Sequence, residues 1–212
     1  MTKIKICGLR RPEDIEMVNE YRPDYCGFII NFPKSHRSIS PEQVRALVKG
    51  LDRENIVPVG VFVDEDIDTV ASLLNEGTID MAQLHGSEDE EYIKGLRQLT
   101  DKEIIKAFAV RDRKSLEAAA KSSADYILLD QGQGSGETFD WSVLKGADAR
   151  EVFGGDGTPG RRWFLAGGIN AENAANAIES FRPFALDISS AVETDKFKDP
   201  AKVKEIIQLV HR

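Results

Sequence analysis

Short apolar runs alternate with helix-period segments along all 212 residues of the chain. Eight runs read as buried strands: Lys3–Cys7, Tyr25–Ile30, Ile56–Phe62, Met81–Leu84, Glu103–Val110, Tyr126–Leu129, Trp163–Ala166 and Phe184–Asp187. β-branched and aromatic residues are frequent in most of them, as buried strands prefer. The helix starts between them are also legible. Ser40-Pro41-Glu42-Gln43 offers a capping serine, proline in the first turn and a reciprocal glutamine. Ser87-Glu88-Asp89-Glu90 predicts a second capping box ahead of a helix through Leu99. Asp199-Pro200 opens the last helix, Asn170 is expected to cap a helix over Ala171–Phe181, and the helix after Arg11-Pro12 runs to about Tyr21. Lys145–Arg162 breaks the rhythm and reads as a long loop that curtails the sixth helix. Strand–helix alternation repeated in this way predicts a parallel sheet. Eight units in so short a chain fit a closed barrel. An open, doubly wound sheet would carry a Gly-rich dinucleotide turn after its first strand. Here that position holds Cys7-Gly8-Leu9-Arg10. The expected fold is therefore a single-domain (β/α)8 TIM barrel of eight parallel strands over residues 1–212, with no linker to a second domain.

Composition narrows the partners. Hydrophobic residues at 41% suffice for one sizeable core. The net charge of -8 argues against nucleic acid and anionic membranes. It does not argue against a small anionic substrate, because a local cluster of donors outweighs a global charge. Cys7 and Cys26 are too few for a disulfide framework, so both are read as reduced thiols of an intracellular protein. The N-terminus has no apolar run suited to a signal peptide, and no segment approaches the ~20 residues of a membrane span. A cytoplasmic protein is expected.

In such a barrel the active site lies at the C-terminal ends of the strands. Leu165-Ala166-Gly167-Gly168-Ile169-Asn170 is a strand running through two glycines into a helix start, and Asp187-Ile188-Ser189-Ser190 follows the eighth strand. Each is by itself an ordinary turn or cap. At the ends of strands seven and eight together they predict a phosphate cradle, built from Gly167, Gly168, Ser189 and Ser190. Cys7 ends the first strand. Lys3, Lys5 and Cys7 share one face and Ile4 and Ile6 the other. With the isoleucines toward the helices, Lys5 points into the barrel beneath Cys7, where an ammonium favours the thiolate and so a base. Cys26, mid-strand, reads as a packed core thiol. Asp130 ends the sixth strand and suits a general acid, or else a loop cap. Arg37 suits a clamp on a substrate carboxylate, or else an exposed loop position. His85 carries no assigned role, nor do Lys5 and Gln83 beyond their placement. The three histidines His36, His85 and His211 are not spaced as ligands, so no metal is expected. Asp64-Glu65-Asp66 reads as a solvated helix start rather than a calcium loop.

Taken in order, these segments resemble the phosphoribosylanthranilate isomerase family of tryptophan biosynthesis. The resemblance rests on Lys5-Ile6-Cys7-Gly8, Gly27-Phe28, Lys34-Ser35-His36-Arg37 and Gly60-Val61-Phe62-Val63. It continues through Gln83-Leu84-His85-Gly86, Leu128-Leu129-Asp130, Gly134 to Trp141, Leu165 to Ile169 and Asp187 to Glu193. It implies an Amadori rearrangement of N-(5-phosphoribosyl)anthranilate without a cofactor. Asp130 would then be the acid, Cys7 the base, Arg37 the carboxylate clamp, and the loops after strands seven and eight the phosphate site. Its partners would be a phosphorylated small molecule, with a monomer or homodimer and transient contact with pathway enzymes left open. The chain departs from the family at His36 (usually proline), Ser38 (usually aromatic), Gln133 and Ala191 (usually glycine). A strained backbone is expected at Ala191 if that position needs positive φ. Three alternatives remain: another phosphosugar isomerase or epimerase on the same fold, a non-catalytic barrel that binds a phosphoribosyl ligand, and a thiol-redox protein. A dual-specificity isomerase would be expected to place an aspartate where Cys7 stands.

Overall fold

A computed structural model describes residues 1–130, 144, 153 and 162–211. The eight expected strands form, with ends shifted by a residue or so. They are β1 (Lys3–Cys7), β2 (Tyr25–Ile30), β3 (Val57–Phe62), β4 (Met81–Leu84), β5 (Glu103–Ala109), β6 (Tyr126–Asp130), β7 (Arg162–Leu165) and β8 (Ala185–Ile188). Each pairs in parallel with the next, and β1 also pairs with β8, which closes the barrel. Closure leaves no barrel strand with an open edge. A two-residue strand, Ser38–Ile39, extends the upper end of β2, and Glu193–Thr194 with Phe197–Lys198 forms a hairpin after β8.

The period-two pattern sorts the side chains as expected. Ile4, Ile6, Cys26 and Phe28 pack outward with the helices. Tyr25, Val59, Met81, Ile105, Tyr126, Leu128, Phe164 and Ala185 fill the interior. At the N-terminal ends of the strands, Tyr25, Tyr126, Phe164 and Phe184 meet with ring centroids 5.5–6.5 Å apart. They make an aromatic floor, so polar side chains further along the strands face only the opposite mouth.

Helix Pro41–Leu47 carries the reciprocal Ser40–Gln43 box, and Asp199 caps Pro200–Val210. Two helix starts differ from the sequence reading. Helix Glu90–Leu99 is capped by Asp89, not Ser87. Ser87 instead donates to Asp64, and buried Glu88 accepts from Lys106 at 3.0 Å, as a buried ammonium requires. Asn170 accepts from the amides of Glu172 and Asn173, closing a turn, and the helix proper begins three residues later than expected, as Ala174–Phe181. Asp66 caps helix Ile67–Asn75, which suits the reading of 64–66 as a helix start. Most of Lys145–Arg162 and all of Gly134 to Trp141, with Gln133, lie outside the described residues. Phe153 is helical and buried, its ring stacked on Trp163, so at that point the expected loop is helix. Arg162 already belongs to β7. Among the described residues no helix is long and apolar enough to cross a membrane.

Candidate active site

Cys7 sits at the inner rim of the mouth, 6% exposed. Beneath it the Lys5 ammonium is wholly buried and donates to Asp187 Oδ1 at 2.9 Å, from the cross-strand position on β8. Burial opposes the Lys5 charge, but Asp187 and Cys7 hold it protonated, above the ordinary lysine value. The effect on Cys7 differs from the sequence expectation. Burial pushes the thiol up, Lys5 pulls it down, and burial wins. Lys5 therefore limits the rise rather than creating a standing thiolate, because it is paired with Asp187, whose own charge raises the thiol. Cys26 is completely buried among apolar residues and its thiol is pushed far up, in keeping with a core role.

Gly27 on β2 explains how thiol and ammonium fit together. A methyl group there would lie 2.9 Å from Cys7 Sγ and 3.0 Å from Lys5 Nζ. Gly27→Ala is expected to displace both and lower kcat about tenfold while the barrel still folds. Steady-state kinetics beside a thermal melt checks this; unchanged kcat would mean that the thiol's position is not critical.

Across the mouth, Asp130 at the end of β6 lies 3.3 Å from His85 Nε2. His85 is held in turn by Gln83 Nε2, 2.8 Å from its Nδ1. With Gln83 donating to Nδ1, the neutral ring carries its proton on Nε2, the nitrogen nearer Asp130. His85 thus gains a place that spacing alone did not suggest, beside the carboxyl of Asp130.

Arg37 is not an exposed loop residue. Its side chain is 15% exposed, and Nε and Nη2 donate to the two oxygens of Glu193 at 2.6 and 2.8 Å. Lys198, with its ammonium buried, donates to Glu193 Oε1 at 2.8 Å and to the carbonyl of Ser189 at 2.8 Å. His36 Nε2 stands 3.5 Å from Glu193 Oε2. Burial would raise the Glu193 carboxyl, but Arg37 and Lys198 bring it down from 4.5 to about 2. A depressed carboxyl stabilises the fold above its unfolded value and loses that contribution as pH falls through its folded one. The melting-temperature advantage of wild type over Glu193→Gln is therefore expected to shrink between pH 4.5 and about 2. An advantage independent of pH would contradict the ion pairing.

The loops after β7 and β8 lie side by side. Gly167 and Gly168 both have positive φ, at 81° and 69°, and among the described residues neither amide has a protein acceptor. Ser189 Oγ donates to the Cys7 carbonyl at 3.0 Å, tying the β8 loop to the end of β1, and exposed Ser190 begins a short 3-10 turn. Ala191 lies within that turn and is not among the positive-φ residues, so the expected strain does not arise. The Ser38 hydroxyl accepts from the Phe32 amide at 2.8 Å, which gives this departure a local structural use. Among the described residues no group of three or more His, Cys, Asp or Glu side chains is placed to hold a metal ion.

Sequence reading missed Asp187, Glu193 and Lys198 as working residues. Asp187 was detectable, since it occupies an inward position opposite Lys5. Glu193 and Lys198 were hidden because their hairpin turns through Asp195 and Lys196, both at positive φ, without the usual glycine.

A closed (β/α)8 barrel carries at one mouth an inward thiol, a carboxyl–imidazole pair, a clustered arginine and two glycine amides with no acceptor among the described residues, the arrangement of a barrel enzyme. The sequence profile for N-(5'phosphoribosyl)anthranilate (PRA) isomerase matches residues 4–209, and the chain belongs to that family. It is 42% identical to the N-(5'-phosphoribosyl)anthranilate isomerase of Acetivibrio thermocellus, covering 99% of this chain and 96% of that protein. The Thermoanaerobacter sp. (strain X514) isomerase is 39% identical, covering 99% and 98%. The crystal structure of the Thermotoga maritima phosphoribosylanthranilate isomerase superposes with a TM-score of 0.84 at 33% identity, covering 100% of this chain and 99% of that one. A structure of a phosphoribosylanthranilate isomerase with reduced 1-(o-carboxyphenylamino)-1-deoxyribulose 5-phosphate gives 0.81, also at 33% identity, with 100% and 99% coverage.

Proposed function

We propose that this protein isomerises N-(5-phosphoribosyl)anthranilate to 1-(2-carboxyphenylamino)-1-deoxyribulose 5-phosphate, as a step of tryptophan biosynthesis. The observation that carries the reading is the pairing of Cys7 and Asp130 on opposite sides of one barrel mouth, in a chain that belongs to the isomerase family. The reaction is an internal redox exchange, so it needs no external oxidant or reductant. Asp130 protonates the ribose ring oxygen as the C1–O bond breaks, and the anilino nitrogen lone pair forms the imine. The cationic imine acidifies the C2 proton, which Cys7 removes. The electron pair moves to C1=C2, giving the enolamine, and tautomerisation returns the proton to C1 and leaves the ketone at C2. Gly167, Gly168, Ser189 and Ser190 hold the phosphate, Ser189 through its amide because its hydroxyl proton is engaged by the Cys7 carbonyl. Arg37 holds the anthranilate carboxylate.

The whole of residues 1–212 would act as one catalytic domain, in the cytoplasm, as a monomer or homodimer. A solved relative from Thermotoga maritima is described as dimeric. The direct test is the decay of fluorescence from freshly generated phosphoribosylanthranilate. Rapid decay with wild type supports the function. A folded protein that binds inorganic phosphate but leaves the signal unchanged would point to a different phosphosugar.

A further inference from the structure

We propose that Glu193 is the positioning residue for Arg37 and thereby sets the preference for a substrate with a carboxylate on its aromatic ring. This inference rests on the function proposed above. Glu193 binds side-on, through Nε and Nη2. A guanidinium has five N–H groups in one plane, and side-on pairing uses two. Among the described residues no protein group takes the end-on edge, made of one proton of Nη1 and the second of Nη2, and it suits another carboxylate in bidentate geometry. A carboxylate serving as a plug would be expected on that end-on edge.

The remaining contacts fix the plane of the fork. Glu193 is anchored independently of Arg37, by Lys198 and by its place opposite Lys198 in the hairpin. On its other side the arginine runs over the Gly8 backbone, where a Cβ would come within 2.4 Å of Arg37 Cδ. Gly8 has φ of 86°, so both its conformation and its missing side chain serve this passage. Charge works in the same direction. Arg37 and Lys198 against Glu193 leave one net positive charge beside the fork, and His36 adds to it when protonated. Without Glu193 the long side chain, carried on a loop, would have to be ordered by the substrate itself, which weakens binding.

The test compares two substrates and four proteins. Wild type, Glu193→Gln, Arg37→Ala and the double variant are assayed with phosphoribosylanthranilate and with the corresponding aniline compound, which lacks the carboxylate. Glu193→Gln is expected to raise KM for the carboxylated substrate about tenfold, with a much smaller change in kcat. It should leave the aniline compound unaffected and add nothing in the Arg37→Ala background. Equal effects on both substrates, or full additivity with Arg37→Ala, would overturn the proposal and leave Glu193 a structural residue. Calorimetric binding of the reduced carboxyphenylamino sugar phosphate and its decarboxylated analogue, with melting temperatures alongside, reads the same preference without chemistry. A wild type that fails to turn over but loses its carboxylate preference on Glu193→Gln would count against the isomerase reading alone. One that binds both analogues equally would count against Glu193. Glu193→Asp, which keeps the charge but shortens the reach, should fall between wild type and Glu193→Gln; no carboxylate preference in either variant's loss would again make the role structural.

Discussion

Cys7→Ala is expected to lower kcat about a thousandfold and to leave both the fold and phosphate affinity in place. The thiol is small and close to the rim, so its loss opens little space in the core. What disappears is the base proposed above, and Lys5 beneath it cannot replace it because it is occupied by Asp187. Cys7→Ser should be nearly as inactive, because a hydroxyl ionises far less readily than a thiol. The pH profile offers a second check. The base acts when deprotonated, and burial pushes the thiol above its ordinary value, so kcat/KM should rise with pH through neutrality. Lys5→Met removes the group that pulls the thiol down and should move this limb to still higher pH. Steady-state rates across pH decide the matter: an alanine variant with wild-type kcat, or a limb indifferent to Lys5, removes Cys7 from the mechanism.

Asp130→Asn is expected to cost a further large factor, about a hundredfold to a thousandfold in kcat. Asparagine keeps the size of the carboxyl and can still meet His85, but it has no acidic proton for the ribose ring oxygen. His85→Asn should be milder, about tenfold, because it loosens the acid without removing it. Single-turnover measurements of ring opening would separate the two. If Asp130→Asn keeps its rate while His85→Asn loses it, the imidazole is the acid and the assignments exchange.

The strands and most helix starts were legible because each depends on local signals. Ile4 and Ile6 alternate against Lys5 and Cys7, and Ser40-Pro41-Glu42-Gln43 states its own cap. The ends of β1, β6, β7 and β8 then put Cys7, Asp130 and the loops after β7 and β8 at one mouth through fold geometry alone. What sequence could not carry was pairing between distant elements. Arg37 and Glu193 are 156 positions apart, and Lys5 and Asp187 are 182 apart. Whether Arg37 met solvent or a partner depended on a hairpin without a turn glycine. The state of Cys7 was misjudged for a similar reason. Strand alternation puts the ammonium beneath the thiol, but neither its sharing with Asp187 nor the cost of burial is written in local sequence. Ser87 was mistaken for a cap because its hydroxyl, equally suited to Asp89's task, is drawn to Asp64 by a contact between loops.

The four rings at the base of the barrel have a consequence for traffic. Because Tyr25, Tyr126, Phe164 and Phe184 fill the lower interior, entrance and exit are the same door. A newly made ketose must leave by the route along which the next aminosugar arrives. The two molecules carry the same phosphate and the same ring carboxylate, so each occupies the other's berth. Product and substrate therefore compete for one mouth, and added ketose is expected to inhibit the initial rate competitively.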